Sequence, residues 1–239
     1  MKYHFDATED FLRRQNEIYI LLEIAKEETE DDKHKLFLKL VAITLVTKFQ
    51  VYVENVLKEY LYQLRSNHIT YSNISIYMQL NSVKIKANDN DLIKLSKHNK
   101  LNEDTKNKIE NYLKSISFII DSDKVIDDNF NFITTFPLGR TGKDELLKLF
   151  KQIDGDENIF INKDTNEEIL DLNQLDSLLL TRHLIIHQDI FNQTIQTIAG
   201  YRDFLLDIVI FCDNYLYTKL QICGVALEER CLEYPPTAS

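Results

Sequence analysis

Residues 178–191 read LLLTRHLIIHQDIF and place an arginine and two histidines inside a run of leucines and isoleucines. An α-helix turns by about 100° per residue, so Arg182 falls on the same face as Leu179, whereas His183 and His187 occupy the neighbouring strip. Burying a guanidinium without a partner costs on the order of several kcal/mol. We therefore expect another group to compensate for the charge of Arg182.

The chain has 239 residues, of which 44% are hydrophobic, enough to bury the core of one large domain. We predict a single domain over residues 1–232, followed by a flexible tail over 233–239. Glycine and proline are scarce, with five and three copies, and neither occurs before Pro137. Such a long stretch without a residue that breaks helices predicts long helices.

The net charge of −10 argues against a protein that coats nucleic acid without specificity. It leaves room for a local basic cleft and for a basic partner. No apolar run of signal length follows Met1, and the apolar runs are shorter than a membrane span, so we expect a cytoplasmic protein without a membrane partner. Three cysteines without a CxxC pair indicate reduced thiols rather than a disulfide framework or a zinc site.

The spacing of apolar residues predicts an all-α fold with long antiparallel helices. Residues 67–100 are rich in Asn, Ser and β-branched residues, which predicts an irregular insertion of short strands or short helices. We expect the helices around 40–66, 172–188 and 193–220 to pack together. The full set of predicted helices is 8–30, 33–66 (straight or kinked), 103–120, 143–153, one that begins near Asp171 and carries LLLTRHLIIHQDIF, and 193–221.

Two other stretches resemble binding loops but lack essential residues. GRTGKDE (139–145) has its glycines too close together for a phosphate-binding P-loop, and it has no Ser or Thr after the lysine. DGDENIFINKD (154–164) lacks the third acidic ligand and the final glutamate of a calcium loop. The first is expected to be a turn that leads into a helix, and the second a surface loop.

Three interpretations of the arginine and the histidines remain open. Arg182 could pair with a core acid, for which Glu54 would serve, while His183 and His187 are ordinary polar residues. The two histidines are one helical turn apart and could bind a metal, although no third ligand stands at a telling spacing. Alternatively, a cation and an acid–base group could act on a phosphodiester.

The segment from Arg182 to His187 matches the Rx4–6H motif of the HEPN superfamily of nucleotide-binding helical domains. A polar residue commonly follows the arginine there, and His183 fits. VTKFQVYVENVLKEYL (46–61), which contains Glu54, resembles the aromatic and glutamate-bearing helix of that superfamily. RTGKDELLKLFKQIDGDENIF (140–160) resembles the helix and turn before the motif in the MAE_28990/MAE_18760-like subgroup of stand-alone HEPN nucleases. Family members often have Gly after the histidine, where this chain has Gln188.

The resemblance implies a metal-independent endoribonuclease, without a cofactor, that acts as a homodimer. Two motif helices would form one cleft, in which Arg182 holds the scissile phosphate and His187 transfers a proton. His183 and Glu54 would support them. RNA carries its own 2′-OH nucleophile, and the products would be a 2′,3′-cyclic phosphate and a 5′-OH.

Such HEPN proteins act as toxins or antiviral effectors, restrained by an antitoxin or another partner of the defence system. The alternative is a non-catalytic HEPN-like module that dimerises or docks a partner. A third possibility is a helical bundle that binds a ligand and no nucleic acid.

Overall fold

A computed structural model describes residues 1–87, 103, 107, 110, 121–128, 130–137 and 142–232. The described chain is mainly helical, which confirms the predicted all-α class. A two-stranded antiparallel sheet pairs β1 (Lys2–Tyr3) with β2 (Arg230–Cys231). The helices are α1 (Asp6–Arg13), α2 (Gln15–Glu27), α3 (Asp31–Ser66), a 3-10 turn (Tyr71–Asn73), α4 (Ile76–Ala87), α5 (Gly142–Asp154), α6 (Asn173–Gln188) and α7 (Ile195–Ile222).

The central element is α3, which contacts α1, α2, α6 and α7. It has no Gly or Pro in its 36 residues, and its apolar residues recur every three or four positions, so one face of a continuous helix is hydrophobic. The buried residues of α3 are Leu38, Val41, Ala42, Leu45, Val46, Phe49, Tyr52, Val53, Val56, Leu57, Tyr60, Leu61 and Leu64. The other helices therefore form a layer around this stripe.

By length and composition α3 could also span a membrane, since its best 18-residue window has a mean hydropathy of 1.7. Polar residues interrupt the apolar runs of α3, so the runs themselves stay shorter than a span, and the absence of a membrane partner stays a prediction. In the bundle, 44% of that window is buried. Its buried face has the pattern of the core helix of a helical bundle.

The helices α2 and α3 run antiparallel, as predicted for the long helices. Near their connection, His34 Nδ1 lies 2.7 Å from the carbonyl oxygen of Ala25. Further from the connection, Lys48 Nζ donates to Glu17 at 2.7 Å. Since earlier residues of α2 meet later residues of α3, the pair forms a helical hairpin.

By contrast, α3 and α7 run in the same direction. The Tyr52 hydroxyl donates to the carbonyl oxygen of Val209 at 2.9 Å, and burial raises the pKa of this tyrosine well above its usual value. Beyond the end of α3, Cys223 Sγ donates to the carbonyl oxygen of Asn73. The helix α6 contacts both α3 and α7 and precedes α7 in the chain. It returns the chain along the bundle, so that α7 can run in the same direction as α3.

The boundaries differ from the predicted ones at several points. The predicted helix over 8–30 is broken at Arg14, where the side-chain amide of Gln15 reaches the Phe11 carbonyl that a continuous helix would offer to the backbone. Residues 33–66 belong to one helix rather than a kinked pair. In the predicted insertion 67–100, the described part contains the 3-10 turn and α4. Residues 88–100, nearly all of the predicted helix 103–120, and the tail 233–239 lie outside the described residues.

The amino terminus is fixed by a buried carboxylate of α7. Asp213 accepts hydrogen bonds from the backbone N–H groups of His4 at 2.9 Å and Phe5 at 3.1 Å, and its Oδ1 lies 2.8 Å from His4 Nδ1. The His4 ring also stacks on Tyr217 with centroids 3.7 Å apart. Asp213 is fully buried. One side chain thus satisfies the donors that enter the core ahead of α1.

We predict that Asp213→Ala lowers the free energy of unfolding by about 3–5 kcal/mol, because it leaves several buried donors without an acceptor. Chemical denaturation monitored by circular dichroism measures this change. Asp207→Ala on the exposed side of the same helix is the matched control and is expected to have a small effect. Equal effects of the two substitutions would contradict the structural role of Asp213.

Candidate active site on helix α6

Two carboxylates, those of Asp171 and Asp176, accept backbone hydrogen bonds near the start of α6. Asp171 Oδ1 accepts the backbone N–H of Asn173 at 3.1 Å, so the helix begins within two residues of the predicted start. One turn later, Asp176 Oδ1 accepts the backbone N–H of Lys143 at 2.9 Å, in the first turn of α5. A carboxylate at a helix amino terminus satisfies a free donor and complements the helix dipole.

The approach of α5 to α6 depends on a glycine. A Cβ atom on Gly142 would lie 2.1 Å from Leu179 Cδ1 and 3.1 Å from Leu175 Cγ. Any side chain at this position would force Leu179 to move, so glycine allows the helices to approach without that rearrangement. The predicted helix start in GRTGKDE is confirmed, because α5 begins at Gly142, and this glycine makes the close contact with α6. Residues 138–141 lie outside the described part of the chain.

The end of α6 lies immediately after the Arg/His motif. Asp189 adopts the left-handed conformation, with φ 53°, and its N–H bonds to the carbonyl oxygen of Leu184. The N–H of Ile190 bonds to the same oxygen at 3.2 Å. A left-handed residue is a common way to end a helix, and here it comes one position after Gln188. Lys39 Nζ of α3 contacts Asp189 Oδ1 at 2.5 Å.

Arg182 is half-buried, and its guanidinium has no hydrogen bond or ion pair within the described part of the chain. Its Nε atom is inaccessible to solvent and lacks a partner. A buried donor without an acceptor costs about 1–3 kcal/mol. Within the described residues, the fold thus keeps a positive group on the apolar arc of α6 without a compensating partner, which leaves its charge available to an anion.

The two histidines lie side by side on the outer part of α6. Their ring centroids are 4.6 Å apart, with an interplanar angle of 49°. His187 is exposed, and His183 is half-buried. Arg182 and His187 are about 140° apart around the helix, so both can contact only a molecule that extends across α6.

Glu54 is occupied elsewhere. Its Oε1 accepts the backbone N–H of Phe136 at 3.2 Å and the side-chain amide of Gln50 at 3.1 Å, and Lys58 lies 4.0 Å from its Oε2. Within the described chain it has no hydrogen bond or ion pair with Arg182 or His187. It holds the extended segment 130–137 against α3, where Phe136 is buried. No contact within the described protomer therefore supports the expected role of Glu54 at the site. Its proximity to Arg182 or His187 of a second protomer stays a prediction.

The described residues offer little support for a metal site or for a ligand-binding cavity at the motif. No third His, Cys, Asp or Glu joins His183 and His187 in a cluster that could hold a metal ion in the described ranges. A cleft of about 320 Å³ between α2 and α7 and a groove of about 280 Å³ between α1 and α3 are lined by other residues. Arg182 and His187 line neither of these two cavities. His187 is exposed on the protomer, whereas Arg182 is half-buried.

Burial raises the pKa of the Cys212 thiol well above its usual value, and it also raises the pKa of Cys223. Both residues are therefore kept as neutral thiols rather than as nucleophilic thiolates. Cys231 is exposed, and all three cysteines are free of disulfides. The chemistry of the chain consequently does not centre on its cysteines.

The model of the RiboL-PSP-HEPN family matches residues 9–218, which is most of the chain. The chain belongs to this HEPN family. The match covers α1 through most of α7 and includes the whole of α6 with its Arg/His motif. No curated protein and no solved structure matches the chain.

Membership confirms the resemblance to the HEPN superfamily and the helical-bundle fold that it implied. The narrower resemblance to the MAE_28990/MAE_18760-like subgroup stays a prediction. The sequence did not single out Lys39 or Asp189, although an Asp two residues after the motif histidine is a signal of a helix end. Lys39 gave no signal, because its partner lies 150 residues away in the chain.

We predict that Arg182→Met leaves the HEPN protein folded and raises its free energy of unfolding by about 1 kcal/mol, because methionine removes a buried donor that has no acceptor. Thermal or chemical unfolding measures the change. Arg202→Met is the control: this buried arginine of α7 donates to Asp203 at 2.7 Å, so its loss is not expected to stabilise the protein. Unfolding of the Arg182 variant would instead identify Arg182 as a structural residue.

Proposed function

We propose that this HEPN protein is a metal-independent endoribonuclease. It cuts RNA by attack of a ribose 2′-OH on the adjacent phosphodiester and leaves a 2′,3′-cyclic phosphate and a 5′-OH. The observation that carries the proposal is the guanidinium of Arg182, which is half-buried and has no partner within the described chain. Charge-assisted hydrogen bonds from arginine to phosphate are among the strongest that proteins form.

The reaction needs a base, an acid and a cation. As the bond from the 2′-oxygen to phosphorus forms, the base removes the hydroxyl proton. As the bond from phosphorus to the 5′-oxygen breaks, the acid protonates the leaving oxygen. The guanidinium of Arg182 stabilises the charge that builds on the phosphate oxygens. His187 is exposed, and an imidazole can serve either proton transfer.

A homodimer supplies both proton-transfer groups, because a two-fold axis between the two motif helices brings both copies of His187 to one cleft. The outer face of α6 suits such a contact. Leu180 lies within about 20° of His187 around the helix, and 48% of its surface is exposed. Ile186 and Ile190 near the end of α6 are also more than 40% exposed. These apolar groups lie on the exposed side of α6 that carries His187.

We predict that Leu180→Glu converts the dimer to a monomer and abolishes cleavage, because it places two carboxylates in the contact between motif helices. Light scattering at micromolar concentration measures the oligomeric state. Ile222→Glu is the control, since Ile222 is 72% exposed at the far end of α7. A monomeric protein that cleaves RNA would contradict the shared cleft, and a dimer that survives Leu180→Glu would place the contact elsewhere.

The principal test is cleavage of RNA by the purified protein in the presence of EDTA. We expect His187→Ala to lower the rate by at least about 10²–10⁴-fold, the range of general acid–base catalysis. Arg182→Ala should be similarly severe because it removes charge from the phosphate site. His183→Ala is the matched comparison on the same helix and should be milder, since it has no assigned proton transfer. All three variants should keep the circular dichroism spectrum of the wild type.

The outcomes separate the alternatives. If the wild type cuts no RNA and still dimerises, the non-catalytic docking module is the better description. If EDTA removes the activity, a metal bound by His183 and His187 is favoured. A 2′,3′-cyclic phosphate on the product, detected by mass spectrometry, distinguishes attack by the 2′-OH from hydrolysis by water.

The biological role that we propose is that of a cytoplasmic toxin or antiviral effector, restrained by an antitoxin or another partner protein. The exposure of His187 supports this role, because a bound protein can cover the histidine. The net charge of −10 suits a basic partner. Inducible expression in a bacterial host tests this role, because the wild type should stop growth and His187→Ala should not.

A further inference from the structure

An ion pair between distant parts of the chain lies beside the proposed catalytic histidine. Lys39 of α3 and Asp189 are joined by a contact of 2.5 Å between Nζ and Oδ1. The side chain of Lys39 is only 22% exposed, whereas that of Asp189 is 86% exposed. Asp189 follows His187 by two residues, so the ammonium group of Lys39 is held next to the end of the motif helix.

The carboxylate of Asp189 is not needed to end α6. The backbone N–H groups of Asp189 and Ile190 both bond to the carbonyl oxygen of Leu184, and this backbone pattern alone completes the helix terminus. Glycine and asparagine adopt the left-handed conformation at such positions more readily than most residues. The aspartate therefore adds one property that the helix end does not require, a negative charge that pairs with the ammonium group of Lys39.

The charges around the motif indicate a function for the ion pair of Lys39 with Asp189. A protein with net charge −10 repels a polyanion unless cations are concentrated where it binds. Arg182 is one such cation, and it lacks a partner within the described chain. Lys39 is a second one, on a neighbouring helix, and Asp189 neutralises it. An ion pair with one highly exposed partner contributes little to stability, so another anion displaces it easily.

We propose that Lys39 binds an RNA phosphate next to the scissile phosphate held by Arg182, and that Asp189 occupies Lys39 until RNA displaces it. This proposal rests on the ribonuclease function proposed above. Asp189 then acts as an intramolecular competitor of the substrate. The two members of one ion pair must consequently have opposite effects on RNA binding. A purely structural pair predicts effects of the same sign, since either substitution breaks the same contact.

The test measures binding of a 2′-O-methyl RNA oligonucleotide, which keeps the phosphates but lacks the nucleophile. Lys39→Gln should weaken binding and reduce the slope of log Kd against log salt by about 0.7, the value for one contact to a single-stranded phosphate. Asp189→Asn keeps a residue that tolerates the left-handed conformation, and it should tighten binding by roughly twofold to fivefold. With a cleavable RNA, Lys39→Gln should act mainly through KM.

The chain provides a matched control one turn earlier on α3. Lys35 Nζ contacts Asp31 Oδ2 at 2.5 Å, the same distance as in the Lys39 pair, but both residues belong to α3. Lys35→Gln and Asp31→Asn change the net charge by the same amounts and should leave binding nearly unchanged. Unfolding curves of all four variants should overlay that of the wild type.

Two results overturn the proposal. If Lys39→Gln and Asp189→Asn both weaken binding, the pair is structural. If their effects equal those of the Lys35 and Asp31 controls, only the overall charge matters. A wild type that cuts RNA while either result holds leaves the ribonuclease function intact, whereas a wild type that neither binds nor cuts RNA overturns both proposals.

Discussion

Burial of the apolar stripe of α3 is the constraint on which the rest of the structure depends. A helix of 36 residues exposes far more apolar surface than it can leave in water, so other helices must cover it. Four of them do: α1 and α2 precede it in the chain, and α6 and α7 return to it from the carboxyl-terminal half. The position of α6, and therefore of the motif, follows from this packing together with the close contact of Gly142 with Leu179.

Against that background, polar groups at the helix interfaces fall into two kinds. Asp213 is fully buried and satisfied by the backbone of His4 and Phe5, and Glu54 is satisfied by the backbone of Phe136. Both carboxylates hold chain segments that have no regular secondary structure to satisfy their donors. Arg182 is of the other kind, because its buried Nε atom has no partner in the described chain. A buried donor without an acceptor does not add to stability, and the role that we propose for Arg182 is to bind an anion.

The sequence predicted the long helices well, because the absence of Gly and Pro and the recurrence of apolar residues are local signals. It predicted the start of α6 near Asp171 and the placement of Arg182 on an apolar arc for the same reason. The break at Arg14 and the β1–β2 pairing were not predicted, because each depends on groups distant in sequence or on a side chain that competes for a backbone carbonyl. Glu54 shows the limit most clearly: its position on α3 was evident, but its partner, the backbone of Phe136, was not.

The same distinction explains why the motif alone gives an incomplete description of the site. Arg182 and His187 are five positions apart on one helix, and their spacing is readable from the chain. The charge that surrounds them is not, because Lys39 lies 150 residues before its partner Asp189 and meets the end of α6 only through the packing of α3. Arg182 and Lys39 differ in cost. Arg182 has no compensating partner among the described residues, whereas Lys39 is compensated by Asp189 until a stronger anion arrives. Binding of a polyanion would give Arg182 a partner and would replace Asp189 as the partner of Lys39. The free energy of binding would then depend on both groups.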